Sequence, residues 1–214
     1  MEASKTIRLP LPSQPVCAGN RSNHPLVLQP NAQLVQHTLF ILPAHPMPVP
    51  RIPYYRQQKH YTCVPAALRM ALAAHGKKLT ESYLARLCGT TVEGTDSHGM
   101  TRALRTLGWP FLTGYRIRYR DLTHYLEHGI VIIDWSPQII YPNHPEFRPS
   151  RHFNPHEESH VAILVSAGER FVTIQDPVMG RRVRVARENF LKAWKHPTST
   201  SNHWLLVVLS PEQD

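Results

Sequence analysis

The sequence predicts an α+β domain with two lobes, in which a helical N-terminal lobe is followed by a lobe built on an antiparallel β-sheet. Apolar residues recur at helical spacing from Val64 to Leu72, and related patterns continue to Leu107. The continuous apolar run that makes up most of Ile130–Asp134 is typical of a buried strand. Most of the later sequence reads as strands. Helices that precede strands along a chain are typical of the α+β class, and two lobes leave a cleft between them.

The composition is that of one globular domain with a hydrophobic core. The chain has 214 residues, of which 42% are apolar and 18% charged. The formal net charge is +9. Much of this charge is spread along predicted strands and turns, which is typical of solvated faces; a site for an acidic peptide or a nucleic acid is the alternative. We expect no nucleic-acid partner, because no motif of interleaved aromatic and basic residues is present.

Cysteine usage and the N-terminal sequence favour a reducing compartment. The three cysteines, Cys17, Cys63 and Cys88, have no CxxC spacing, so neither a disulfide framework nor a zinc ribbon is indicated. The first residues lack the basic and apolar regions of a signal peptide, and no apolar run reaches membrane-spanning length. We therefore expect a cytoplasmic protein without a membrane partner.

The chain divides into an N-terminal arm and one domain. Residues 1–50 contain nine of the twenty prolines and a single acidic residue. Only the segment 34–42 is apolar enough to form a strand or to pack against the domain. We expect 1–50 to be an extended Pro-rich arm that docks in part, and 51–214 to be the domain.

Three helices are predicted in the first half of the domain, each closed by a glycine. The first begins at Cys63, and Pro65 fits its first turn, where an N–H has no intrahelical partner. Thr80 can cap the second, and Asp96 or Ser97 the third. Glycine just past the last turn is a common stop signal. These glycines are Gly76, Gly89 and Gly108.

Strands and a loop follow these helices. Alternation over Tyr115–Tyr119 predicts a strand, and Asp121 opens a short helix that Gly129 closes. Ser136–Pro155 is a long polar loop, of a length that is usually functional or mobile. The C-terminal part is predicted to contain a hairpin about Gly168, a further strand, a helix and a closing strand, over His160–Ala167, Phe171–Asp176, Arg182–Val185, Glu188–Lys195 and His203–Leu209.

Cys63 is the candidate nucleophile. A cysteine at a helix N-terminus faces the positive end of the macrodipole and free backbone N–H groups, and both favour thiolate over thiol. Gln57, six residues earlier, carries an amide that can donate to an oxygen near that sulfur. One loop therefore combines a candidate nucleophile with a candidate polarising group.

His160 and Asp176 form the second candidate group. They lie eight residues before and eight residues after Gly168, so a hairpin folded about this glycine places them opposite each other on one face. A carboxylate beside one ring nitrogen fixes the tautomer of the imidazole and leaves the other nitrogen free. If the lobes bring His160 to Cys63, the result is a thiolate–imidazolium pair.

These motifs together resemble the C39 peptidases, papain-like cysteine peptidases best known for cutting peptide leaders after a double glycine. The resemblance covers residues 52–209 and rests on Gln57-x5-Cys63, PAALRMAL, GTDSHGMTRALRTLG, GIVIID and HVAIL…VTIQDP. It implies a papain-like fold and a peptide or protein substrate. By motif, Cys63 resembles the nucleophile, His160 the general base, Asp176 its orienting partner and Gln57 the oxyanion-hole donor.

This sequence departs from the family pattern at three places, one of which is a long loop before His160 that is unusually rich in proline and histidine. Val64-Pro65 follows the cysteine where a glycine is frequent, and the transporter segments of the leader-processing members are absent. We therefore interpret the chain as a stand-alone C39-like peptidase that needs no cofactor. Two other functions stay open: acyl or γ-glutamyl transfer, as in phytochelatin-synthase-like proteins, and peptide binding without turnover.

Further residues have two interpretations each. Trp135 and His98 are candidates for substrate contact, with core packing and a helix-capping region as the alternatives. His152, His156 and His160 have a spacing that would suggest a metal site on a helix. Pro155 and the lack of an apolar face argue against such a helix, so we predict no metal.

Overall fold

The computed structural model describes residues 50–96, 98–145, 159–194 and 203–211. The predicted N-terminal arm lies outside these ranges except for its last residue. His152 and His156 also lie outside them, as does the whole second half of the long polar loop, 146–155.

The three predicted N-terminal helices are present. They are α1, Cys63–Ala74; α2, Glu81–Cys88; and α3, Gly99–Thr106. Thr80 caps α2 as predicted, since its Oγ1 accepts a hydrogen bond from the Tyr83 N–H at 3.2 Å. The glycine beyond each helix has a positive φ, a conformation that residues with a Cβ rarely adopt, and this accounts for the position of each helix end.

The start of α3 differs from the prediction. Its N-cap is His98, which makes no side-chain cap hydrogen bond. Asp96 binds the backbone just before the helix, because its Oδ1 accepts a hydrogen bond from the His98 N–H at 2.8 Å. The carboxylate therefore stabilises the turn that leads into the helix rather than the first turn of the helix itself.

Six strands in the described residues form one antiparallel sheet in the order β1-β6-β2-β3-β4-β5. The neighbouring strands β2 and β6 are almost entirely buried, which agrees with their continuous apolar sequences. The strands are β1, Phe111–Gly114; β2, Gly129–Trp135; β3, His160–Ala167; β4, Phe171–Gln175; β5, Arg182–Ala186; and β6, Leu205–Leu209.

The strand predicted over Tyr115–Tyr119 is wrong. The strand lies just before this segment, at Phe111–Gly114, where it pairs with β6. Arg116 has a φ of 55°, in the left-handed region, which interrupts an extended chain. The alternation of arginines with other residues here therefore belongs to an exposed turn that leads into a 3-10 turn, Tyr119–Asp121.

Helices cover both faces of the sheet. Alternate residues of β2, β3 and β6 pack with α1, α2 and α3 in one hydrophobic cluster. The short helix α4, Leu122–Leu126, contacts β2 and β3, and the last helix α5, Arg187–Trp194, contacts β2, β4 and β5. The buried residues of α4 and α5 do not belong to that cluster, so these helices cover the opposite face. None of the described helices is both long and apolar enough to cross a membrane.

Candidate active site

Cys63 is the first residue of α1 and is partly buried. The Ala66 N–H already donates to the Thr62 carbonyl at 3.0 Å, and Pro65 has no N–H. In the first turn this leaves the N–H groups of Cys63 and Val64 without an acceptor inside the helix. The start of α1 thus places a sulfur beside two backbone donors.

His160 is the first residue of β3 and only 6% exposed. Its Nε2 lies 3.0 Å from Asp176 Oδ1, and Asp176 is completely buried. Because an ionised carboxylate can only accept, Nε2 carries the proton of this hydrogen bond. The side chain of Cys63 lies close enough to the His160 ring to raise the pKa of that ring. The structure therefore brings Cys63, His160 and Asp176 together.

The protonated form of His160 is strongly favoured. Burial alone would lower the pKa of His160, because it disfavours the charged ring. The charge of Asp176 and the hydrogen bond to it act in the opposite direction, and the Cys63 side chain adds to them. Together these contacts raise the pKa of His160 to about 10. The arrangement favours an imidazolium at this position.

The predicted register of the hairpin is wrong by two residues, although the side chains still meet. Ile163 lies opposite Gln175, and the register shifts again after Leu164 at a bulge. A shift of two residues leaves side chains on the same face of the sheet. Asp176 follows directly after β4, and the turn there lets its carboxylate reach His160. The Val178 N–H donates to the same Oδ1 at 2.8 Å and helps to hold it.

The segment before α1 is bound to the end of β4, and this brings the two parts of the site together. Three hydrogen bonds join this segment to the end of β4. Each of them connects residues that are more than one hundred positions apart in the sequence. They are Gln175 Nε2 to Pro53 O at 3.0 Å, Tyr54 Oη to Asp176 O at 2.7 Å, and Gln57 N to Pro177 O at 2.9 Å.

The side chain of Gln57 is not arranged as the expected oxyanion donor. Its Nε2 donates to the carbonyl oxygens of Lys59 and His60, at 2.8 and 3.1 Å. An amide nitrogen has two hydrogens, so both are engaged within the loop. The loop before Cys63 turns back on itself. Its carbonyl groups therefore accept the two amide hydrogens of Gln57 that were expected to bind a substrate oxygen.

Glu81, a residue that the sequence analysis does not single out, organises the same loop. It is the first residue of α2 and only 1% exposed. Its Oε1 accepts hydrogen bonds from the Gln58 N–H at 2.8 Å and from Thr62 Oγ1 at 2.6 Å. A glutamate in a first turn already suits the helix dipole, so the local pattern gives no sign of this second, long-range role.

The two candidates for substrate contact differ in exposure. Trp135 lies opposite His160 in the β2–β3 pair and is fully buried, with its ring edge-on to Tyr141 at 5.7 Å between centroids. It has no surface to offer a peptide and acts as a packing residue. His98 is exposed, and among the described residues no hydrogen bond or ring contact joins it to Cys63 or His160.

Comparisons with known sequences find one family model and two relatives of this chain. The model of the Peptidase C39 like family matches residues 49–202. An uncharacterized protein of Methanothermobacter marburgensis is 30% identical over 159 residues, covering 74% of this chain and 89% of its own length. An uncharacterized protein of Methanothermobacter thermautotrophicus is 30% identical over 134 residues, covering 63% and 77%.

Solved structures show the same fold at low identity. The peptidase domain of Streptococcus ComA, a bifunctional ABC transporter, has a TM-score of 0.55 at 18% identity and covers 76% of this chain and all of that domain. A double glycine motif protease from an AMS/PCAT transporter, in complex with a leader peptide, has a TM-score of 0.54 at 21% identity, with coverage of 75% and 93%. The predicted papain-like α+β fold is confirmed.

The geometry predicts that iodoacetamide alkylates Cys63 much faster than Cys88 at pH 7. Cys88 is buried in α2, and this burial raises the pKa of its thiol to about 12. Such a thiol is ionised roughly 10³-fold less than an ordinary one of pKa about 8.5. Peptide mass spectrometry after timed alkylation measures both rates. In guanidinium chloride the two rates should converge; similar rates in the native protein would contradict the site.

Replacing Glu81 by alanine is expected to disturb the loop before Cys63. The Gln58 N–H and the Thr62 hydroxyl lose a buried acceptor, which costs about 1–3 kcal/mol in the free energy of unfolding. Urea denaturation measures this loss, and the rate of Cys63 alkylation shows whether the loop moves in the folded protein.

Two variants serve as controls for Glu81→Ala. Glu81→Gln keeps an acceptor oxygen and should recover part of both effects. Glu93→Ala removes an exposed glutamate and should change neither stability nor alkylation. An unaltered alkylation rate in Glu81→Ala would mean that Glu81 does not position the nucleophile loop.

Proposed function

The chain belongs to the Peptidase C39 like family, and on this basis we propose that it is a cysteine peptidase that hydrolyses a peptide or isopeptide bond. One observation carries the proposal: the buried Asp176 carboxylate is hydrogen-bonded to the His160 ring, and the Cys63 side chain lies close enough to the same ring to raise its pKa. A nucleophile, a base and an orienting group in this order are the requirements of acyl transfer.

In the proposed reaction, the Cys63 thiolate attacks the carbonyl carbon of the substrate and forms a C–S bond. His160 then transfers its Nδ1 proton to the leaving amine as the C–N bond breaks, which leaves a thioester on Cys63. A water molecule gives a proton to His160 and attacks the thioester. The C–S bond then breaks, the acid product departs, and the thiolate–imidazolium pair is restored. Throughout, Asp176 holds the imidazole by Nε2.

The negative oxygen of the tetrahedral intermediate needs hydrogen-bond donors. We assign the backbone N–H groups of Cys63 and Val64, because they lie in the first turn of α1 without helical partners. Gln57 can join them only if its amide gives up a loop carbonyl, of which His60 O is the more distant at 3.1 Å. Losing one such donor costs about 10²–10³ in kcat in other enzymes.

The expected substrate is a peptide, and a basic cavity lies beside the nucleophile loop, where side chains of such a peptide could bind. A cavity of about 310 Å³ adjoins the nucleophile loop and is lined by Arg56, Gln57, Gln58, Lys59, His60 and Val178. Arg56 and Lys59 make this lining basic. A test library should therefore include acidic residues on both sides of the cleaved bond.

The proposal predicts that the full chain cleaves members of such a peptide library and that Cys63→Ala abolishes cleavage. Loss of a nucleophile in another hydrolase costs roughly 10⁶ in kcat, so residual turnover should be undetectable. Mass spectrometry of the library measures cleavage, and circular dichroism checks the fold. Cys17→Ala is the matched control, and it should retain full activity.

Two outcomes would contradict hydrolysis. Equal cleavage by wild type and Cys63→Ala would place the activity elsewhere. Products that appear only when an amine acceptor is added, and that contain the amine, would replace hydrolysis by acyl transfer.

The pH profile of kcat/KM tests the role of Asp176. Activity requires the protonated ring, so the alkaline limb should fall as pH rises through the pKa of His160, about 10. Asp176→Asn removes the charge that raises this pKa, while burial continues to lower it. The alkaline limb of the variant should therefore move to lower pH. An unmoved limb would show that Asp176 does not set the protonation of His160.

A further inference from the structure

We propose that His124, Glu127 and His128, at the C-terminal end of α4, form a binding site for a divalent transition metal of the Zn²⁺ class. One nitrogen from each histidine and one carboxylate oxygen of Glu127 all lie within 4.8 Å of one another. The two histidines are four residues apart, so they project from the same side of the turn. The site shares no residue with the candidate active site and does not depend on the proposed peptidase function.

His128 is already oriented as a ligand. Its Nδ1 lies 2.6 Å from the carbonyl oxygen of His124. Because a carbonyl can only accept, Nδ1 carries the hydrogen, and the lone pair of the neutral ring is on Nε2. A backbone carbonyl bound to the other ring nitrogen is the usual arrangement around a metal-bound histidine, where it fixes the tautomer and the ring.

His124 supplies the second nitrogen. Its Nε2 is buried, and no group in the described part of the chain hydrogen-bonds it. A buried polar atom of this kind normally has a partner. The two imidazole rings lie 4.5 Å apart between centroids and are tilted by 57°, so their nitrogens can converge without stacking.

Only small movements are needed to bind an ion. Zn–N distances of about 2.0–2.1 Å place two tetrahedral ligands roughly 3.3 Å apart. The ligand atoms here are already within 4.8 Å. Glu127 is exposed and can rotate toward the histidines. Three protein ligands leave the fourth position to water.

The donor set selects the metal. Imidazole nitrogen suits Zn²⁺, Ni²⁺ and Cu²⁺, whereas Mg²⁺ and Ca²⁺ prefer sets made of oxygen. Two imidazoles and one carboxylate therefore favour the first group. The sequence predicts no metal, on the spacing of His152, His156 and His160, and the present proposal departs from that prediction.

The position of the cluster implies a structural consequence. His128 directly precedes Gly129, the first residue of β2, and α4 packs on β2 and β3. An ion that joins His124 to His128 fastens the end of α4 to the start of this central strand. Metal that binds only the folded chain raises stability by mass action.

Isothermal titration of the full chain with ZnCl₂ tests the proposal, with Cys63→Ala as the background so that the active-site thiol does not bind zinc. We expect His128→Ala and His124→Gln each to weaken Zn²⁺ binding by at least about 10- to 100-fold, the loss seen when even an outer partner of a metal ligand is removed. Glu127→Gln should weaken it as well. MgCl₂ should give no binding.

His98→Gln removes an exposed histidine on another helix and should leave the titration unchanged. Thermal unfolding with and without ZnCl₂ gives a second readout. The midpoint should rise with Zn²⁺ in the background chain and should rise less in His128→Ala. The proposal is overturned if Zn²⁺ does not bind, or if it binds His128→Ala and His124→Gln as tightly as the background.

Discussion

The whole site depends on the attachment of residues 53–57 to the end of β4. Hydrogen bonds join this short segment to Gln175, Asp176 and Pro177. The segment ends only six residues before the start of α1. Each bond contributes about 1 kcal/mol, which is small beside the apolar contact of α1 with the sheet. The apolar contact drives the association, whereas the directional bonds decide where along the sheet α1 begins. They therefore determine that Cys63 meets His160.

The His160–Asp176 pair is poorly explained as a stabilising feature. Both side chains are buried, and an ion pair loses hydration that its mutual attraction only partly returns. One carboxylate oxygen, Oδ2 of Asp176, is buried without a hydrogen bond from any described group. The cost is understandable if the pair is retained to keep an imidazole charged and oriented next to a thiol. Trp135 supports this by closing the opposite strand position to water.

Local signals in the sequence predicted much of the fold and part of the site. A glycine that ends a helix is a local signal, because it determines the conformation of a single turn. A buried strand such as Gly129–Trp135 can be predicted from its apolar run. Cys63 could be chosen from its position at a helix start. The register of the hairpin could not be predicted, because no clear feature of the sequence indicates the bulge after Leu164. The contact of Glu81 with Thr62 also escapes prediction, since it joins residues nineteen apart.

The most consequential difference concerns the loop before Cys63. Sequence spacing makes Gln57 a donor for the substrate, yet its amide hydrogens bind two carbonyls of its own loop. In the proposed mechanism, recruiting Gln57 exchanges an internal hydrogen bond for one to the oxyanion, and the exchange is favourable only when the new acceptor carries charge. Gln57 would then contribute to the transition state and little to substrate binding, which is the condition for raising kcat. Glu81 holds the rest of the loop by Gln58 and Thr62, so this exchange can occur without moving Cys63.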